Sequence, residues 1–190
     1  MSSWLDDLHP AAPDVAACFR LVDDALKLRR ELRRRGGPSS APGVLRQQEA
    51  VADALESALE ALPDSALLLP GNEGDWNVAQ TFAHTTAARR FLARAAALAA
   101  SGKWPAGDPP EAIAGVPGPA DASRETLLTL LGKSRRSVAE SAALIEGHEA
   151  DPCPLVHPIV GRLRCGEWLL FIGVHDLAHL EQLHALAGRA

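Results

Sequence analysis

Two histidines spaced four residues apart, His175 and His179, are the side chains of this 190-residue sequence best placed to do chemistry. Within GRLRCGEWLLFIGVHDLAHLEQLHAL, residues 161–186, a helix turning about 100° per residue gathers Trp168, Phe171, Ile172, His175, His179, Gln182, Leu183 and Leu186 into an arc of roughly 120°. Positions i and i+4 stack on one face, so both imidazoles can reach a single ion in front of the helix. The alternative is a pair of core histidines, each hydrogen-bonded to a neighbour. Two unpartnered buried imidazoles would be costly, which favours the ion.

A third histidine, His84, sits in a segment that Asn77 and Gln80 open as a capping box and that keeps helical spacing to about Ala100. On that helix His84 shares a side with Thr81, Ala88, Phe91 and Ala95, while Arg89 and Arg90 fall roughly 100° or more away. His84 therefore faces inward. Alone it is a satisfied core histidine, but the small Ala88 and Ala95 beside it leave room for something bulky.

Four amphipathic elements must position these residues. The spacing of Val44, Gln48, Val51, Leu55, Ala58, Leu59 and Leu62 predicts a helix over 44–62, and Pro63 ends it. The segment DSALLLPGNEGD then reads as a loop leading to the 77–100 helix. Residues 101–122 contain five prolines and form a long loop, either a lid or a surface crossover. Ser123 caps a helix over 123–146 that turns Leu127, Leu131, Ser134, Val138 and Ile145 inward. Residues 149–166 read as a second loop without a strand, apart from a short turn near Val160. Cys153 and His157 within it have ligand-like spacing, but flanking prolines and the lack of a matching pair argue against a metal there. The last helix covers 166–187. The fold class is all-α, a four-helix bundle with an additional N-terminal helix. In a bundle the imidazoles of His84, His175 and His179 can converge and leave a coordination position open, as a reactive site requires.

The additional helix is read from Asp14, as its cap, to Arg35, with Val15, Cys18, Phe19, Val22, Ala25 and Leu26 on one face. Its arginine-rich end suits a helix C-terminus in water. GGPSSAPG is then a linker, which divides the chain into 1–43 and a bundle domain over 44–190. The last helix also carries a second apolar face, with Leu169, Leu170, Val174, Leu177 and Leu180, and His184 lies on that face. Either a symmetric partner, making a homodimer, or the N-terminal helix folded back must cover it; its own unpaired stripe favours the N-terminal helix.

Composition narrows the function classes. A formal charge of −5 and a pI near 5.8 argue against nucleic acid as a partner. Cys18, Cys153 and Cys165 are odd in number and lack C-x-x-C spacing, which fits reduced thiols in the cytoplasm. No 18-residue apolar run and no signal-like N-terminus are present, so no membrane is expected.

Three segments resemble the DinB-like metalloprotein bundles. GDWNVAQTFAHTTAA is similar to that family's tryptophan-to-histidine segment on the second bundle helix. HPIVGRLRCGEWLLFIGVHD is similar to its pre-helix loop, and HDLAHLEQL resembles its H-x3-H-x-x-Q-[IL] signature. The resemblance implies that His84, His175 and His179 are ligands of one divalent transition metal, nickel or zinc, with Gln182 matching the family's usual glutamine; Trp168 and Phe91, which share the histidines' helix faces, are expected with it in the surrounding pocket. It also implies a small-molecule substrate and a low-molecular-weight thiol as cosubstrate for an S-transferase or isomerase, or else a hydrolase. Many members carry a further histidine where this chain has Ala178, and a related branch places a carboxylate among its ligands. A metallohydrolase usually needs a carboxylate base near its metal. Asp176 at the edge of the histidine stripe is expected to be a surface group or a support for a ligand, and Glu181 lies behind it. Thiol transfer is therefore preferred over hydrolysis, and a non-catalytic metal- or ligand-binding stress protein is the alternative outside enzymes.

Overall fold

The computed structural model describes residues 3–70, 76–107 and 115–187. Its seven α-helices are α1 (Ser3–Leu8), α2 (Pro13–Phe19), α3 (Ala25–Arg35), α4 (Ala41–Ala61), α5 (Val78–Ala100), α6 (Arg124–Ile145) and α7 (Cys165–Ala187). A 3₁₀ turn, Asp64–Leu68, follows α4, and a hairpin of β1 (Pro152–His157) and β2 (Gly161–Arg164) precedes α7. Helices α4 to α7 form the bundle. Each of α4 and α5 packs along both α6 and α7, so α5 and α7, which carry the histidines, are neighbours.

The start signals work as their chemistry dictates. Asn77 and Gln80 close a reciprocal capping box, Nδ2 of Asn77 also holds the carbonyl of Ala120, and Ser123 Oγ accepts from Thr126 N. Helix α4 begins at Ala41, inside the expected linker, and takes its cap from afar: the buried Glu149 accepts from Ala41 N through Oε1 and from Gly147 N through Oε2.

Three expectations are corrected. The helix expected to run unbroken from Asp14 to Arg35 is two helices with a turn between, because Asp24 accepts from Lys27 N and starts α3 anew. Asp14 is not the cap of α2; it lies in the first turn and pairs with Arg35. The second correction is the hairpin, expected as loop. Its register pairs Pro152 with Arg164, Val156 with Arg162 and His157 with Gly161, with a bulge between Pro152 and Val156. A two-stranded ribbon has a free edge on each strand, so prolines fit where no N–H is required. The third is the 3₁₀ turn, expected as loop; residues 71–75 of that expected loop lie outside the described residues, as do 108–114 of the 101–122 loop.

The second apolar face of α7 is covered from the N-terminal side. Leu169, Leu170, Val174, Leu177 and Leu180 are all buried, and α2 and α3 pack on α7. Val15 and Phe19 are buried, whereas Val22 and Leu26, expected on the same stripe, are exposed because the chain turns away after Phe19. Close approach explains two glycines. A Cβ on Gly173 would meet Val15 Cγ1 at 2.8 Å, and one on Gly166 would meet the carbonyl oxygen of Gly36 at 2.4 Å. Gln47 of α4 accepts from the N–H groups of Asp14 and Val15, so the bundle itself satisfies the start of α2.

Candidate metal centre

His84 projects from α5, and His175 and His179 project from adjacent turns of α7. One potential ligand atom from each lies within 4.8 Å of those of the other two. Among the described residues this is the one group of histidine, cysteine and carboxylate side chains with that geometry. The imidazole centroids of His175 and His179 are 4.6 Å apart, and His84 lies 5.5 and 5.4 Å from them. Their Nε2 atoms, on His175 and His179, are 3.4 Å apart. Tetrahedral ligation with metal–nitrogen bonds of about 2.0–2.1 Å sets donor atoms about 3.3–3.4 Å apart, so the α7 pair already has the required separation.

Hydrogen bonds fix which nitrogen each ring offers. Gln182 Oε1 can only accept, so the 3.2 Å contact makes His179 Nδ1 a donor and leaves its lone pair on Nε2. The carbonyl of Val116 does the same to His84 Nδ1 at 3.1 Å. That carbonyl comes from the loop after the undescribed stretch, which is held against α5 where Gly118 N donates to Gln80 O. Outer acceptors of this kind orient metal-binding imidazoles and raise their basicity. The ring of Trp76 leans on His84 at 5.2 Å.

His175 provides the sharper test of whether a cation fits. Its Nδ1 is buried without a hydrogen bond, and 3.8 Å away Asp176 Oδ1 is buried without one too. If the His175 proton sits on Nε2, pointing at His179, then Nδ1 and Oδ1 are two lone-pair atoms facing each other. If Nε2 instead gives its lone pair to a cation, the proton moves to Nδ1, and a closing of under about 1 Å makes an Nδ1–H to carboxylate bond. A cation at Nε2 would thus give both of these buried atoms a partner, which is what a ligand position asks of His175.

Asp176 was expected at the surface or behind a ligand. It is fully buried, and its other oxygen is bound by Arg89, which is fully buried as well. Arg89 was expected to face away from the bundle. The wheel misplaced it because α5 packs on both α6 and α7 and so buries more than one face. Arg89 also donates to the carbonyl of Gln48 at 3.4 Å.

The remaining expected residues are dispersed. Gln182 touches His179. Trp168 is buried two turns before His175, edge-on to Phe171 at 5.8 Å and His157 at 6.2 Å. Phe91 is 45 % exposed two turns along α5 from His84, in a groove with Arg94, Leu98 and Trp104. His184 stacks on Trp4 at 5.3 Å, away from the centre. Cys153 and His157 form no ligand group. Burial pushes all three thiols up, Cys153 to about 11 and Cys18 and Cys165 to about 12, so none is a thiolate at neutral pH. Burial, with a smaller contribution from His175, pushes His157 down to about 4. Sequence reasoning passed over the Val116 carbonyl, the Trp76 ring as a neighbour of His84, and the Arg89–Asp176 pair. Only Trp76, as the start of the tryptophan-to-histidine segment, carried a signal.

A model of the DinB superfamily matches residues 47–183, which hold the bundle and all three histidines. The chain belongs to the DinB superfamily. Comparison with curated proteins and with solved structures gives no match. The helices α1 to α3, which cover the back of α7, lie outside the segment by which the chain joins the DinB superfamily. No described helix is long and apolar enough to cross a membrane.

Proposed function

We propose that this DinB-superfamily protein holds one divalent transition metal, zinc or nickel, on His84, His175 and His179, and uses it in the cytoplasm to transfer a low-molecular-weight thiol to a small electrophile. One observation carries this reading: among the described residues no carboxylate joins the histidine group, and Asp176, next to His175, is fully buried and ion-paired through Oδ2 with Arg89. A hydrolase would need a base beside its nucleophilic water. A thiol is acidic enough to do without one.

When bound, the metal supplies a Lewis acid that lowers the pKa of a coordinated thiol towards neutrality. The protein's own groups set the stage for it. Gln182 and Val116 fix the tautomers of His179 and His84, and Asp176 stands ready to take the Nδ1 proton of His175 in a hydrogen bond. His179 is buried, whereas His84 and His175 are partly exposed, with 23 % of the His175 side chain open to solvent. The ligands are thus open on one side, where a thiol would enter and could release its proton to water. The chain's own cysteines are buried and un-ionised, so the nucleophilic sulfur comes from a cosubstrate.

The test is a conjugation screen on zinc- and nickel-loaded protein with glutathione, bacillithiol and mycothiol against small electrophiles. Turnover that requires both thiol and metal and disappears with chelator supports the proposal. Ester or amide hydrolysis at similar rates without thiol would replace it with the hydrolase reading.

A further inference from the structure

Beside His175 the surface opens into a cavity of about 180 Å³ that is apolar on almost every side. Helix α7 supplies Phe171, Val174 and Ala178, and Val22 and Leu28 close it from the N-terminal segment. One wall residue besides His175 is polar: His157, from the end of β1. Its Nδ1 accepts from Ile159 N at 3.2 Å and from Val160 N at 3.4 Å, so its proton resides on Nε2. Phe171 holds the ring edge-on at 4.7 Å. Nε2–H has no protein acceptor among the described residues.

We propose that this cavity is the subsite for the electrophile's body, that it takes one apolar group of about the size of a six-membered ring, and that His157 Nε2–H donates to a carbonyl oxygen on that group. The inference names the substrate class for the metal centre and to that extent rests on the function proposed above. Size sets the scale of the buried part, since a closed cavity of about 150 Å³ lined by aliphatic and aromatic side chains accepts benzene. Polarity sets the rest. With a single fixed donor in an apolar wall, the cavity favours a ketone over a hydrocarbon of equal shape and disfavours anions and polyols, which would leave polar groups unpaired. Position ties the cavity to the site, because His175 belongs both to its wall and to the histidine cluster, so a carbonyl compound seated here would lie against one of the metal's ligands. Val22 and Leu28 precede the matched segment, so substrate choice is partly made by residues outside it.

The probes are cyclohexanone and its isostere methylenecyclohexane, titrated into the full-length protein while the methyl resonances of Val22, Leu28 and Ala178 are followed by NMR. Zinc-loaded and chelator-treated protein are compared. Saturable shifts at these methyls are expected, with cyclohexanone binding about fivefold tighter, the worth of one neutral hydrogen bond. H157F should bind both probes equally, and H157Q, which keeps an acceptor for the turn and a donor, should restore part of the preference. A178L, at an exposed position on the rim, should abolish both. The proposal is overturned if neither probe shifts these methyls, if the ketone preference survives H157F, or if it vanishes on chelation, since the metal would then be the carbonyl's partner. Binding that survives chelation in a protein without thiol transfer would keep the subsite and discard only the reaction.

Discussion

Replacing Arg89 with methionine should destabilise the protein more than any comparable change on α5. Arg89 and Asp176 have no exposed side-chain area, and among the described residues the guanidinium is the one permanent cation paired with that carboxylate. The R89M variant leaves Asp176 buried and unpaired, which costs about 3–5 kcal/mol. For a chain of this size each kcal/mol moves the unfolding midpoint by about 2–4 °C, so the drop is about 6–20 °C. The pair is not fully satisfied, since Arg89 Nε and Asp176 Oδ1 both lack partners. Its net worth against apolar replacement is therefore small, and R89M combined with D176L should recover most of the lost stability. Thermal unfolding followed by circular dichroism is measured in chelator, so that ligation does not contribute to the midpoint. A midpoint lowered by less than about 2 °C in R89M, or a double variant less stable than R89M, would refute the buried-pair argument.

Other consequences are simpler to state. Deleting residues 1–40 uncovers the apolar back of α7 and should give a protein that aggregates or newly dimerises in size-exclusion chromatography; a heat-stable monomer would contradict the covering role of α2. Gln182→Leu removes the acceptor that fixes His179 and should weaken zinc affinity about 10–100-fold in a competition titration, with folding intact. Because His157 is held at about 4 in the fold against about 6.5 unfolded, its neutral form stabilises the fold fully above pH 6.5 and progressively less as the pH falls towards 4. In chelator, H157F should lose this acid-side decline, on the order of 1–2 kcal/mol given the ring's partial exposure, in denaturant titrations at pH 4.5 and 7.5.

The bundle was legible because its helices announce themselves locally. Asn77 with Gln80, Ser123, and the spacing of Val44 to Leu62 are short-range signals, and the structure honours each. His175 and His179 share a face by helix geometry alone, whereas His84 was turned inward by setting Arg89 and Arg90 on the opposite side, and the structure buries Arg89 while leaving His84 half-buried. What was not legible depends on distant segments. The wheel sent Arg89 outward because it cannot know that α5 is packed on two sides. The Val116 carbonyl, 32 residues from His84, is a backbone atom with no signature of its own. The hairpin hid behind Pro152, Pro154 and Pro158, which argue against a central strand but not against a two-stranded edge ribbon. The break before α3 was written in Asp24, an N-cap residue outweighed by the apolar spacing on either side.

The most direct test of the metal centre is elemental analysis of tag-free protein beside H84A, H175A and H179A, each checked for folding by circular dichroism. Wild type should carry one divalent transition-metal ion per chain, and each folded variant should lose most of it. A folded H179A variant that retains the full complement of metal would contradict the three-histidine site.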